Sequence, residues 1–367
     1  DVAGTFEKLI TLINRYQKLS KIPLLISIDG EYGLAMRIEK TPQYPFAITL
    51  GALKKDAEQW VEEVGYHMGM DMKRSGIHLN LAPCADVNTN PNNPVIGYRS
   101  FGDDAEKVAK LSFAAYSGMK KAGIGACLKH FPGHGDTAVD SHLGLPILHK
   151  SKEELKTEEL LPFQYGIDRG VEMIMVGHLA VPALTVGKDL PASISRELIT
   201  DLLKEEMGFQ GLVISDALNM KAVANLFPEP GELEWQAFHA GNDILCFSDH
   251  VKEGIQKISQ NTSDEEVNAV FGKIIDLKKR LGVMESKTIE VPTFDWDQHS
   301  RLQKDLAKNY VSVIWGELNP SEIQALAKAG KLGYNEFFTQ TASHFSLNLK
   351  LDFETADKAE KVILTVF

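Results

Sequence analysis

Short apolar runs, rich in Ile, Val or Leu, recur along most of this chain between segments with helical periodicity. A strand that is covered on both faces has this composition, because neither of its faces alternates with solvent. Such strands occur in parallel sheets whose faces are packed against helices. The six runs are IPLLISID (22–29), GIHLNLAP (76–83), GIGACLKH (123–130), VEMIMVGH (171–178), QGLVISD (210–216) and GNDILCF (241–247).

The segments between these runs have the spacing of amphipathic helices. Residues 5–19, 55–74 and 104–121 show helical periodicity, and residues 195–208 begin at a Ser and end at a Gly. The first run lacks the glycine-rich loop that follows the first strand of a dinucleotide-binding fold. The alternation therefore predicts an α/β fold of the (β/α)8 TIM-barrel type. One further strand is expected before residue 1, and the sequence leaves the eighth strand ambiguous.

The character of the sequence changes after about residue 285. Residues 302–309 and 320–329 have helical spacing, and KVILTVF (361–367) predicts a strand that needs partners. The segment SKTIEVPTFDWDQHS (286–300), which precedes these elements, shows no clear periodicity. We therefore expect a barrel domain at 1–285, a linker at 286–301 and a partial second α/β domain at 302–367.

Charge and hydropathy limit the classes of partner. The chain has 39 Lys and Arg against 50 Asp and Glu, a net charge of −11. A general nucleic-acid binder would carry the opposite excess, so we expect no nucleic-acid partner. No apolar run approaches the roughly 20 residues of a transmembrane helix, so we expect no membrane span. Three widely spaced cysteines, Cys84, Cys127 and Cys246, are typical of small buried thiols and not of a disulfide framework.

Ionisable residues stand where the apolar runs end. In a barrel, the carboxyl ends of the strands converge on one face, where the active site is built. A single polar residue at such a position can simply mark where a strand leaves the core. Several ionisable residues at once favour a shared site. They are Asp29, Lys129, His130, His178 and Asp216, with Asp86 a few positions after the second run.

The segment KHFPGHGDTAVDSH (129–142) concentrates three histidines, two aspartates and a lysine. A metal site is one interpretation, but Pro132 and Gly133 exclude the helical spacing of an HExxH motif. Acid/base chemistry is another, because Asp140 and His142 can meet on a turn. The carboxylate would then fix the tautomer of the imidazole, as in a general acid/base pair. An ordinary polar loop is the third interpretation.

The same segment closely resembles the signature of glycoside hydrolase family 3, in its β-N-acetylglucosaminidase branch. Further stretches resemble other motifs of the family in the same order, over residues 1 to about 285. The sequence departs from the family at Tyr32, where many relatives have Gly, and at Leu34, where many have Arg. The other matching stretches are IDGEYGLAMR (28–37), NLAPCADVNTNPNNPVIGYRSFG (80–102), VISDALNM (213–220) and AFHAGNDILCF (237–247).

This resemblance implies a retaining β-N-acetylhexosaminidase that needs neither a metal nor an organic cofactor. Asp216 matches the catalytic nucleophile, His142 the acid/base and Asp140 the partner of His142. His134 and Asp136 are expected to shape the loop. The residues that match groups holding the hydroxyls and the N-acetyl group of the terminal sugar are Asp29, Arg37, Arg99, Lys129 and His130.

The residue types suit such a reaction. A carboxylate attacks the anomeric carbon and an acid protonates the leaving oxygen. An imidazole acid avoids a second anion beside the glycosyl ester, and it suits a leaving group that carries a carboxylate, as muramic acid derivatives do. The expected substrate is therefore a small carbohydrate with a terminal β-linked N-acetylglucosamine, in particular a peptidoglycan fragment (muropeptide).

Three other functions stay open at this point. A family 3 phosphorylase would transfer the sugar to phosphate, because an imidazole does not repel that dianion. A metal-dependent barrel hydrolase would lose activity with a chelator. A sugar-binding module would keep the fold without the chemistry. For the compartment, a bacterial periplasmic or other extracytoplasmic location is the first hypothesis, with the cytoplasm as the alternative.

Overall fold

A computed structural model describes residues 5–138, 144–285, 288–315 and 362–365 of the chain. Each of the six predicted apolar runs contains a strand, and the third run contains two that are separated only by Cys127. The strands are β1 (Ser27–Ile28), β2 (Leu79–Asn80), β3 (Gly125–Ala126), β4 (Leu128–Phe131), β5 (Met173–Val176), β6 (Leu212–Ala217) and β7 (Ile244–Cys246).

These strands are parallel and lie beside one another in chain order. One group has the order β1-β2-β3 and the other has the order β4-β5-β6-β7. Cys84, which follows β2, forms a parallel bridge with Lys129 of β4 and so joins the two groups. Pairing of β7 with β1, which would close a barrel, is not observed among the residues that the structure describes. The ordered parallel strands confirm the predicted α/β class and the TIM-type arrangement.

Helices follow the strands and begin at residues suited to that position. Asp104 caps the helix Ala105–Ala122 by accepting a hydrogen bond from the Lys107 N–H at 2.8 Å. Ser263 and Glu266 form a capping box at the start of the helix Asp264–Arg280. The helices are α1 (Phe6–Leu19), α2 (Ala47–Gly51), α3 (Ala57–Arg74), α4 (Ala105–Ala122), α5 (Lys152–Thr157), α6 (Leu161–Ile167), a π-helix (Glu197–Glu206), α7 (Lys221–Ala224), α8 (Glu232–Ala240), α9 (Val251–Asn261), α10 (Asp264–Arg280) and α11 (Trp296–Tyr310).

Two apolar clusters lie on opposite faces of the strands, because successive strand residues point in opposite directions. Ile174, Val176 and Val213 pack on the helical side, in a large cluster with residues of the surrounding helices. The alternate positions form a second cluster on the inner side of the sheet. Its buried members in the strands and directly beside them include Leu79, Leu81, Cys127, Met173, Met175, Leu212 and Ile214.

The segment after the barrel differs in part from the expectation. Helix α11 begins at Trp296, inside the predicted linker, and continues through the helix predicted at 302–309. Leu302 and Leu306 are buried in a cluster with residues of α3 and α4, so this helix packs on the barrel. The predicted terminal strand is present, since β9 (Val362–Thr365) pairs antiparallel with β8 (Val311–Trp315).

Two expectations about this part of the chain have no test in the described structure. The helix predicted at 320–329 lies outside the described residues, and the division into two domains stays a prediction. Within the described part of the chain, no helix combines the length and the apolar character needed to cross a bilayer.

Candidate active site

Side chains alternate between the two faces of the sheet along each strand. The face that carries the inner cluster also carries polar side chains at the carboxyl ends of the strands. Cys127 and Ile214 belong to the inner cluster. Lys129 in β4 lies two positions after Cys127, and Asp216 in β6 lies two positions after Ile214. Because strand residues two apart share a face, both side chains belong to the inner side at the carboxyl ends of the strands. Asp29 immediately follows β1 at the same end. This is the face on which TIM-type barrels carry their active sites.

Three cations and two carboxylates form a compact network there. The Lys129 ammonium lies 2.9 Å from Asp29 Oδ1 and 2.8 Å from Glu31 Oε1. The Arg99 guanidinium binds Glu31 through two atoms, with Nη2 2.7 Å from Oε1 and Nε 2.9 Å from Oε2. Arg37 Nη2 lies 3.3 Å from Asp29 Oδ2. Four of the five predicted sugar-binding residues are thus brought together by one another and by Glu31.

Glu31 was not among the predicted site residues, although it links two of them. Burial alone would raise its pKa, but the positive charges of Lys129 and Arg99 outweigh this effect and lower the pKa well below its ordinary value. Burial would lower the pKa of Lys129, and the carboxylates of Glu31 and Asp29 instead raise it. Glu31 and Lys129 are therefore both charged at neutral pH.

Asp86 orients the ring of His130 through its carboxylate. Its fully buried carboxylate lies 2.8 Å from His130 Nδ1 through Oδ2 and accepts the His134 N–H at 2.7 Å through Oδ1. A carboxylate only accepts, so we assign the ring proton to Nδ1. His130 Nε2 is then free to accept from Arg99 Nη2 at 3.3 Å. Burial alone would raise the pKa of Asp86, but the electrostatic interaction with the His130 imidazole and the hydrogen bond from that ring lower it overall.

Cys84, Asp86 and His130 are the one group of buried ligand types close enough together to suggest a cation, within the described residues. Their ligand atoms lie within 4.8 Å of one another. The Asp86 oxygens already accept hydrogen bonds, and the Arg99 guanidinium beside them would repel a cation. Burial also raises the pKa of the Cys84 thiol, whereas a metal ligand must be a thiolate. The set fits a hydrogen-bond network better than a metal site.

Asp216 lies at the end of β6, where Oδ1 accepts the Ala217 N–H at 2.7 Å. Burial raises its pKa, but the imidazoles of His130 and His178, this N–H and the Lys129 charge together lower the pKa below its ordinary value. His178 holds the adjoining backbone, with Nε2 2.8 Å from the Ala217 carbonyl oxygen and Nδ1 2.7 Å from Ser193 Oγ. Asp216 is therefore a carboxylate in a fixed position at neutral pH.

The first part of the loop after β4 is held in place by polar contacts. Thr137 Oγ1 lies 2.6 Å from Nδ1 of His134, whose side chain is buried. Lys150 Nζ lies 3.3 Å from Asp136 Oδ2. Both contacts agree with the expected role of His134 and Asp136 in shaping the loop. Two predicted residues, Asp140 and His142, lie outside the described residues.

An aromatic group stands next to the charged network. The rings of Tyr32 and Phe46 meet edge to face with centroids 4.8 Å apart, and Phe46 contacts Tyr98 at 4.7 Å. Tyr98 directly precedes Arg99 and keeps 55% of its surface exposed. Tyr32, which marks one departure from the family sequence, is thus part of an aromatic wall beside Glu31.

Residues 5–276 match the family model of the glycosyl hydrolase family 3 N-terminal domain. The β-hexosaminidase A of Pseudoalteromonas piscicida is 34% identical over 319 residues, 79% of this chain and 53% of that protein. The β-hexosaminidase of Stenotrophomonas maltophilia (strain R551-3) is 32% identical over 267 residues, 71% of this chain and 75% of that protein. The chain thus spans about half the length of the first relative and three quarters of the second.

Comparison with solved structures points to the same family as the sequence relatives. A glycoside hydrolase family 3 β-N-acetylglucosaminidase from Paenibacillus sp. str. FPU-7 superposes with a TM-score of 0.77 at 32% identity, covering 86% of this chain and 62% of that one. NagZ from Neisseria gonorrhoeae, in complex with N-trifluoroacetyl-D-glucosamine, gives a TM-score of 0.66 at 28% identity, covering 82% and 87%. The resemblance found in the sequence is confirmed: this chain belongs to glycoside hydrolase family 3, in the branch of its β-N-acetylglucosaminidases.

Proposed function

We propose that the chain carries the catalytic site of a β-N-acetylhexosaminidase that removes terminal β-linked N-acetylglucosamine. The observation that carries this proposal is the ionised Asp216 at the end of β6, beside a network of cations and carboxylates. A sugar presents many hydroxyls, and such a network offers both donors and acceptors to them. The β-hexosaminidase relatives support the same activity.

The reaction would proceed in two steps with retention of configuration. Asp216 attacks the anomeric carbon while His142 gives its proton to the leaving oxygen, so that the glycosidic bond breaks and a glycosyl ester forms on Asp216. His142 then takes a proton from a water molecule. That water attacks the same carbon from the opposite face and releases Asp216. Asp140 would hold the His142 ring in the orientation and tautomer that this exchange needs.

The charged network would hold the terminal sugar in position for this attack. Lys129 and Arg37 present N–H donors, and Asp29 presents acceptor oxygens. Arg99 and His130 complete the set proposed for the hydroxyls and the N-acetyl group. Groups that are fixed before the substrate arrives lose little entropy when it binds, so the network favours both binding and orientation.

The proposed natural substrate is a peptidoglycan fragment. An imidazole acid/base, unlike a carboxylic acid, tolerates a leaving group that itself carries a carboxylate. The same property suits phosphate as an acceptor, so phosphorolysis is the alternative that the experiment below must separate.

The substrate class is tested by the release of nitrophenolate from matched aryl glycosides. We expect the β-N-acetylglucosaminide to react at least about 100-fold faster than the β-glucoside, in kcat/KM, because a site that hydrogen-bonds a substrate group discriminates strongly against its absence. Asp216→Ala should remove the activity and so shows that it arises at this site. Equal rates on the two glycosides would contradict the proposal.

The acceptor is tested by analysing the products with and without inorganic phosphate. We expect free N-acetylglucosamine in both cases, with unchanged rate. Accumulation of a sugar 1-phosphate would show a phosphorylase instead.

Activity is also expected to survive dialysis against a strong chelator, and a loss that zinc restores would support the metal-dependent alternative.

A further inference from the structure

Phe247 stands at an unusual position beside the site. It directly follows β7, and 68% of its surface is exposed. Its backbone has a φ of 46°, in the left-handed region. Residues with bulky side chains rarely adopt this conformation, because the Cβ atom crowds the backbone, whereas Gly adopts it without strain.

The backbone places Phe247 close to the reacting carboxylate. Its neighbour Cys246 pairs with Ala217, the residue after Asp216, and the Cys246 carbonyl accepts the Leu218 N–H at 2.9 Å. Burial raises the pKa of Cys246 to about 11, and the negative charges of Asp216 and Asp29 contribute to that rise. Cys246 packs against the inner cluster, on the face of the sheet to which Ile214 and Asp216 belong, and Phe247 is the next residue in the chain.

The packing of the described residues gives no reason for an aromatic side chain at position 247. The ring is not in any of the buried apolar clusters, and no ring contact involves it in the part of the chain that is described. The conformation favours Gly and the exposure favours a polar side chain. Local backbone strain that burial does not offset is characteristic of functional positions.

We propose that Phe247 is the platform on which the leaving-group sugar stacks, and thus a specificity-determining residue of the reaction. This inference rests on the proposed function. The side chain of Lys129 is only 3% exposed, so the network around it would bind the hydroxyls of the terminal sugar deep in the site. A ring that is mostly exposed lies instead at the rim, where the remainder of the substrate emerges. A pyranose presents an apolar C–H face, and an aromatic ring covers such a face without needing a hydrogen bond.

The test compares two ligands that differ by one sugar. In an Asp216→Asn background, which prevents turnover, calorimetry measures the Kd of methyl β-N-acetylglucosaminide and of the β-1,4-linked dimer of N-acetylglucosamine. We expect Phe247→Ala to weaken the dimer by about 3- to 10-fold, the loss typical of one aromatic contact, and the monosaccharide by less than about twofold. Phe247→Tyr should keep the preference for the dimer.

Two further variants separate stacking from stability. Phe271→Ala, at a Phe of α10 that is 51% exposed, is the matched control and should change neither Kd. Phe247→Gly should raise the Tm, because it relieves the left-handed backbone, and should still lose the preference for the dimer.

Each other outcome overturns the inference. An equal loss for both ligands would place the ring in the terminal-sugar site. An unchanged preference for the dimer, with a Tm lowered by Phe247→Ala, would show that the ring packs against the protein itself. If the Asp216→Asn parent bound neither saccharide, the proposed function would fail as well, whereas binding of both with no effect at Phe247 would leave that function standing.

Discussion

Replacing Asp216 with Ala is expected to lower kcat by at least about 10⁴-fold on every β-N-acetylglucosaminide, whatever its leaving group. The carboxylate forms the covalent bond in the first step, so a better leaving group cannot compensate for its absence. The low pKa of Asp216 means that the wild-type side chain is ready to attack at neutral pH. Initial rates on aryl glycosides with good and poor leaving groups measure the effect.

The matched control is Asp189→Asn, which changes an exposed Asp outside the site and should leave kcat unchanged. Azide provides a stereochemical test. In Asp216→Ala it fits the space left by the carboxylate and should yield a glycosyl azide of inverted configuration from a substrate with a good leaving group. Asp216→Ala with more than a tenth of the wild-type activity, or an azide product of retained configuration, would show that another group attacks the sugar.

Replacing Glu31 with Ala is expected to have the second largest effect. It leaves the buried Lys129 and the partly buried Arg99 without their shared carboxylate. Removing one partner of a buried ion pair typically costs about 3–5 kcal/mol of the free energy of unfolding. We also expect kcat/KM to fall at least about 100-fold, because both cations lose the contact that positions them for the sugar. Denaturant unfolding and steady-state kinetics measure the two effects.

A partly exposed ion pair elsewhere in the chain supplies the control. Glu232 lies 2.6 Å from Lys257, with 27% and 29% of the two side chains exposed. Glu232→Ala should cost less than about 1 kcal/mol, as exposed pairs do, and leave kcat/KM unchanged. If Glu31→Ala were no more destabilising than Glu232→Ala, the buried network would have no special role.

The pH dependence of stability gives a second measure of Glu31. Its pKa in the folded protein lies below the ordinary value of 4.5, so its contribution is fully present above that pH and is lost as the pH falls towards the folded value. Glu31→Gln lacks this ionisation. Its free energy of unfolding should therefore fall less steeply with decreasing pH, below about pH 4.5, than that of the wild type.

The sequence was informative where burial leaves a local pattern. Strands covered on both faces appear as apolar runs, and the ionisable residues that end them, such as Asp29, Lys129 and Asp216, marked the carboxyl end of the sheet. Family motifs added roles for those residues. The start of α11 was missed because Trp296 and its neighbours lack a clear apolar periodicity, although the helix packs on the barrel through Leu302 and Leu306.

Features that depend on tertiary pairing were not accessible in the same way. Glu31 stands two positions after Asp29, and that second acid at one strand end was the only available signal. Its contacts with Arg99 and Lys129 join segments that are 68 and 98 positions apart in the chain, respectively. The sequence placed Asp86 near a strand end, but it did not predict the hydrogen bond between Asp86 and the His130 ring. The left-handed φ of Phe247 leaves no trace in the sequence composition.

Trapping the glycosyl-enzyme tests the proposed mechanism most directly. His142→Ala should still transfer the sugar from a dinitrophenyl β-N-acetylglucosaminide, because so good a leaving group hardly needs a proton, and should then stall without a base to activate water. We expect a burst of phenolate and a peptide that contains Asp216 with the mass of one N-acetylhexosaminyl group added. A label on another carboxylate, or no burst and no label with His142→Ala, would contradict the assignment of Asp216 as nucleophile and His142 as acid/base.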